Sequence, residues 1–308
     1  MAFTAADVKA LREKTGVGMM DCKKALTEAD GDMERAIDVL REKGLAASAK
    51  KAGRIAAEGI VLAYTDEAKK VSVLVEVNSE TDFVAKNEKF VNYVTAVAKT
   101  IADTNPADVD ELLAKPLAGD TRTVQENLQD MVLSIGENMK IRRFERVEGI
   151  TTSYIHGGGS VGVLVMFDTD DKTAATDAFK VMGKDVAMQI AAMSPAYLDE
   201  ASVPADVLAH EKEITKAQLA EDPKMAGKPE QGLAKIVDGK IVKYFKENCL
   251  LDQAFVKDGD MNVAKYVASV AKELGADIKV TGFIRYAKGE GLEKREDDFA
   301  AEVASMMK

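Results

Sequence analysis

At 308 residues the chain exceeds the ~250 residues at which single cores stop growing, so more than one module is expected. A net charge of −10 excludes a general nucleic-acid binder, whose phosphate contacts need clustered Lys and Arg, and no direct nucleic-acid partner is expected. Hydrophobic residues make up 46% of the chain, yet no run approaches the ~18 apolar residues of a membrane span, so no membrane partner is expected either.

The N-terminal MAFTAADVKALREKTG carries charges where a signal peptide needs an apolar segment. Cys22 and Cys249 are too few for a disulfide framework and fit a reducing compartment; a cytoplasmic location is expected.

Residues 1–45 read as a three-helix module. Thr4 can cap a first helix with Val8 and Leu11 on one face, and a second carries Cys22, Ala25, Leu26 and Ala29 up to Gly31. A third places Met33, Ala36, Ile37 and Leu40 at helical spacing and is expected to stop at Gly44, a common C-terminal signal. Residues 46–58, rich in Ala and Lys, read as a helical linker. The basic cluster Arg41, Lys43, Lys50, Lys51 and Arg54 reads as a solvated helix face.

From residue 59 the pattern turns to period two and β-branched residues: GIVLAYT, a charged turn, then VSVLVEVN, an antiparallel hairpin. Helices are expected near 87–103, 107–114 and 122–138, then a strand, MKIRRFERVEGI, closing a first core half over 59–150. The order recurs over 151–290, where VGVLVMF at 161–167 matches VSVLVEV at 71–77, an offset of 90 residues (161 − 71). An internal duplication follows, and with it an α+β fold: two three-stranded antiparallel sheets, each with its helices. Two amphipathic stretches at about 200–260 form an inserted antiparallel helical hairpin. It either projects and pairs with a second copy as a homodimer or packs on its own domain, and the pattern does not choose. The last module, 291–308, contains REDDFAAEVASMMK, a helix with Phe299, Val303 and Met306 on one face.

Catalytic and ligand-binding signatures are missing. His156 and His210 are the only histidines, which excludes a His-rich metal site or a helical HExxH, and neither Cys has a CxxC partner. No phosphate-binding loop of the GxxxxGK[ST] kind occurs, and HGGG at 156–159 has no GxSxG nucleophile to serve, so a Gly-rich hairpin turn explains it. A non-enzyme without metal or cofactor is expected.

Two segments carry a resemblance. LREKTGVGMMDCKKAL (11–26) and EVNSETDFVAK (76–86) resemble the two signature segments of the translation elongation factor Ts family. The resemblance extends over the whole chain through the order of its parts, with an N-terminal module of the ubiquitin-associated type. It implies guanine nucleotide exchange on elongation factor Tu. In the family's manner, Thr81, Asp82, Phe83 and Val84 would enter the partner's GTPase domain, the Phe wedging between helices and the Asp disturbing the region that holds Mg²⁺. Arg12, Met19, Met20 and Lys23 match the N-terminal docking segment, His156 a further contact, and Phe299 the C-terminal one. Ser160 departs from the basic residue that relatives usually carry after HGGG.

Read from the residues alone, Phe83 could instead fold back as a staple against Phe90. Met19 and Met20 are ordinarily core residues, and adjacent helical positions cannot share a face.

Overall fold

The computed structural model describes residues 3–225 and 228–293; the helix expected near the C-terminus, with Phe299, lies outside the described residues. These divide into two compact units, the first made of the described parts of Met1–Val147, Ile155–Gly162 and Tyr286–Lys308, the second of Glu148–Tyr154 and Val163–Arg285.

The chain begins with α1 (Ala5–Thr15), α2 (Met19–Glu28) and α3 (Met33–Lys51). Thr4 and Asp7 form a reciprocal capping box at the start of α1, Gly16 ends it at φ 71°, and Asp32 caps α3 through the Arg35 N–H. Val8, Leu11, Val17, Cys22, Leu26, Ala36 and Leu40 meet in one small core.

There follow β1 (Glu58–Asp66), β2 (Val71–Ser79), α4 (Asp82–Ala85), α5 (Glu88–Thr104), α6 (Val109–Ala114), α7 (Val124–Ile135) and β3 (Met139–Glu148). After them come β4 (Ile150–His156), β5 (Val161–Asp168), α8 (Asp171–Ala174), α9 (Asp177–Met193), α10 (Ala205–Glu221) and α11 (Glu230–Asn248). The described chain closes with β6 (Ala254–Phe255), β7 (Asp258–Asn262), α12 (Val263–Leu274) and β8 (Lys279–Ala287). The fold is α+β, with three-stranded sheets of order β1-β2-β3 and β4-β5-β8 and a two-stranded β6-β7.

One expected boundary is corrected. The third helix does not stop at Gly44 but continues to Lys51, so module and linker share one helix. Gly44 is buried where α3 crosses α7, and a Cβ there would lie 3.6 Å from the Gln129 carbonyl oxygen. The glycine therefore lies inside a helix packed on α7 rather than at its end.

In the first sheet β1 and β2 pair antiparallel without a shift from Glu58↔Ser79 to Asp66↔Val71. All nine residues of β2 are buried. Val71, Val73, Val75 and Val77 join the core formed with Phe90, Val94, Val97 and Ile101 of α5, which is why the strand alternates so cleanly. The opposite face, with Leu74 and Glu76, is covered within the same unit: a Cβ on Gly162 would come within 2.8 Å of Leu74 Cδ1.

The two halves run through a similar order of elements. In each half a strand leads to a four-residue helix, α4 or α8, then to a 17-residue helix, α5 or α9, ending on a left-handed residue, Asn105 or Ser194. Helices α10 and α11 pack on each other with Thr215, Val237 and Ile241 buried, leaving Ile214 and Val242 exposed. The β6-β7 hairpin that follows was not foreseen; the buried Gln189 of α9 holds it, donating to the Ala254 carbonyl at 3.1 Å and accepting from the Val256 N–H at 2.8 Å.

Candidate functional site

Strand β2 delivers the chain to a turn whose consecutive side chains face opposite ways. Val84 is 4% exposed and belongs to the core beneath the first sheet, whereas Phe83 is 79% exposed, the most open large apolar side chain among the described residues. Phe90, to which Phe83 would have to fold back as a staple, is fully buried in that core, so the staple does not form. Asp82 is exposed, and its carboxylate lies 3.3 Å from Lys86 Nζ one helical turn on. Only Asp82 and Phe83 thus present side chains outward, while Val84 anchors the turn from below.

Thr81 is fixed from the other side. Its N–H donates to Glu137 Oε2 at 3.0 Å and its hydroxyl to Oε1 at 2.6 Å, and its carbonyl accepts from Ser79 Oγ at 2.9 Å. The preceding Glu80 accepts from the Asn138 N–H at 2.6 Å and from Arg54 Nη1 at 3.4 Å. Neither Glu80 nor Glu137 stood out in the sequence, because the bonds joining 80–81 to 137–138 span more than 50 positions and Arg54 is 26 positions from Glu80.

A second exposed feature is the turn after β4. His156 is exposed at the strand end, and its carbonyl accepts from the Gly159 N–H at 3.2 Å and the Ser160 N–H at 3.0 Å. Gly157, Gly158 and Gly159 have φ of 55°, 64° and 99°, which a run of three side-chain-bearing residues would not sustain. Ser160 closes the turn, its hydroxyl donating to the His156 carbonyl at 3.0 Å. The Gly159 carbonyl accepts from the Val61 N–H at 2.8 Å, so the turn sits against β1. Val61 pairs with Glu76, three residues or about 10 Å along β2 from its end at Ser79.

The third feature lies on the N-terminal helices. Arg12 and Lys23 are exposed, and so are both methionines, Met19 at 45% and Met20 at 63% exposure, so neither takes the core place that one of them would ordinarily fill. The buried stripe of α2 is Cys22, Ala25 and Leu26, and the first helical turn projects past it. Lys89, in the first turn of α5 just beyond the Phe83 turn, donates to the Gly16 carbonyl at 3.4 Å between α1 and α2. That contact links α5 to the turn after α1, and residues 11–26 and 76–86 lie in the same unit.

Beneath this surface Glu76 is fully buried and paired with Arg142 Nη1 at 3.1 Å and Arg143 Nε at 2.6 Å. It also accepts from the Gly289 N–H at 2.8 Å and Asn78 Nδ2 at 3.0 Å. Burial by itself would raise its pKa, but the Gly289 N–H, Asn78 and Arg143 together outweigh that and hold it below the ordinary glutamate value. Among the described residues no group of three or more His, Cys, Asp and Glu side chains could hold a metal ion.

A family model described as Elongation factor TS matches residues 80–290, a span that takes in both the Phe83 turn and the His156 turn. The chain is 54% identical over 307 residues to Elongation factor Ts of Clostridium perfringens (strain 13 / Type A), covering 99% of each protein. It is 52% identical over 305 residues to that of Clostridium kluyveri (strain NBRC 12016), 98% of this chain and 97% of the relative. Against Elongation factor Ts of Clostridium botulinum (strain Langeland) identity is 49% over 309 residues, 99% and 98%. A family match over two thirds of the sequence, together with identity near one half along its whole length, places the chain in the elongation factor Ts family of translation factors.

Proposed function

We propose that the chain is a guanine nucleotide exchange factor for elongation factor Tu, acting on the GTPase domain of the GDP-bound partner so that GDP leaves and GTP can enter. The observation that carries this reading is Phe83, a ring held in solvent by a turn anchored on both sides.

Exchange of this kind is a coupling of two binding equilibria. A factor that binds the nucleotide-free partner more tightly than the loaded one weakens nucleotide binding by the same factor. Moving a population from 99:1 to 1:99 takes about 5.5 kcal/mol of differential binding. Burying one Phe contributes only about 1.5–3 kcal/mol. At least about 2.5 kcal/mol must come from elsewhere, and the exposed Arg12, Met19, Met20, Lys23 and His156 are the groups assigned to it. Asp82 acts through charge: a carboxylate brought near phosphate oxygens, or near the side chains that position Mg²⁺ in the partner, penalises the loaded state and little else. The factor needs no metal or cofactor of its own for this.

The test is release of fluorescently labelled GDP from elongation factor Tu at increasing concentrations of this protein. Phe83→Ala is expected to lower the maximal release rate about tenfold or more, the worth of one buried ring, with the concentration for half-maximal effect little changed. Release at the unassisted rate with the unsubstituted chain, despite complex formation, would make the protein an adaptor and end the exchange reading.

A further inference from the structure

We infer that Glu137 is a positioning residue for the exchange reading above, on which this inference rests: its carboxylate holds the turn of Asp82 and Phe83 in the conformation that presents the ring. The clamp then sets how fast nucleotide is released, not how tightly the two proteins meet.

The turn cannot hold itself. Helix α4 has four residues, and a single helical turn fixes several dihedrals for very few hydrogen bonds. The usual remedy is a side-chain cap, yet Thr81, extended at φ −127° and ψ 159°, makes none. Its hydroxyl and its N–H are both spent on Glu137, in the loop between α7 and β3. The loop answers in kind: the Asn138 N–H donates to Glu80, while Asn138 Nδ2 reaches the Arg54 carbonyl at 2.8 Å. Residues 80 and 81 are thus bolted to 137 and 138 in both directions, and Val84 is sunk in the core on the other side of Phe83.

The second half of the duplication supplies an internal comparison. At the corresponding four-residue helix, α8, Asp170 caps in the local way, accepting from the Thr173 N–H at 2.9 Å and the Thr173 hydroxyl at 2.7 Å. The corresponding outward residue there is Lys172, not an aromatic ring. The same fold therefore builds this turn without a remote carboxylate, and uses the remote carboxylate only where a ring is displayed.

Partner contacts made by other residues survive when the turn loosens, so the bound complex still forms. Within it, the release rate falls in proportion to the fraction of time the ring is held in place. Removing both charge-assisted hydrogen bonds to Thr81 is expected to lower that fraction about tenfold (about 1.4 kcal/mol).

The experiment compares Glu137→Ala and Glu137→Gln with the unsubstituted chain in labelled-GDP release, together with amide hydrogen exchange over residues 79–86 in the free protein. Expected are a maximal rate about tenfold lower for the Ala variant and an intermediate rate for Gln, which keeps one acceptor. Half-saturating concentrations should stay within about twofold, and amide exchange in the turn should quicken in the Ala variant. An unchanged maximal rate, a loss expressed only as weaker half-saturation, or unaltered amide exchange overturns the proposal. Absence of any acceleration by the unsubstituted chain would fault the exchange reading instead, while the amide-exchange arm still decides whether Glu137 holds the turn.

Discussion

Phe83 and Val84 are chemically alike and structurally opposed, and the difference comes from where β2 ends. The alternation of the strand aims Val71, Val73, Val75 and Val77 at α5, and the turn adds Val84 to the same core while the Phe83 ring stays in solvent. Glu76 shows the complementary case of a charge drawn inside. Replacing it with Ala removes a buried acceptor of four hydrogen-bonded partners and is expected to cost about 3 kcal/mol, near the lower end for broken buried pairs because Arg142 and Arg143 keep some access to water. Urea unfolding monitored by circular dichroism would measure it. The exposed ring could be suspected from the sequence, since an aromatic residue in a charged connection is out of place. The ties of Glu76 and Glu137 could not, because nothing local in either segment names a partner so far along the chain.

At the scale of elements, periodicity made most helices and the hairpins β1-β2 and β4-β5 legible, and the recurrence of VSVLVEV as VGVLVMF pointed to the repeated order of elements, whereas the short β6-β7 hairpin begins in a stretch read as helical. What misled was punctuation. A glycine ends a helix at Gly16, with φ 71°, but passes through one at Gly44, and the two differ only in what lies beside them. The crossing with α7 leaves room for a methyl group at Gly44 in ordinary van der Waals contact. Gly44→Ala is therefore expected to stabilise the protein by about 0.5–1 kcal/mol through helix propensity, seen as a higher thermal midpoint. Gly159→Ala should do the reverse. At φ 99° the backbone is strained for any side chain, and a Cβ would lie 3.0 Å from Ile60 and 3.2 Å from the Val61 carbonyl oxygen. A loss of about 1–3 kcal/mol is expected, with the turn carrying His156 shifted from β1.

For the whole molecule, stability should form a plateau over neutral pH with two named edges. Asp120, held at about 2 by hydrogen bonding to Arg122, and Glu76 both have depressed pKa values. Their contributions are present above the unfolded carboxylate range and disappear as pH falls through the folded values. Cys249 lies at the opposite edge: burial pushes its thiol up to about 11 from 9.0, so the folded state keeps a proton that the unfolded state has lost, and stability declines as pH rises from 9 to 11. Thermal midpoints from pH 2 to pH 11 test both edges, and a Cys249→Ser variant should flatten the alkaline one. The acidic edge has a further consequence. Because one carboxylate joins β2, the arginines of β3 and the returning backbone at Gly289, protonating it frees three distant stretches of polypeptide together. Probes placed near residues 76, 142 and 289 should then share a single acid midpoint, and the first unit should come apart as one body instead of fraying from an end.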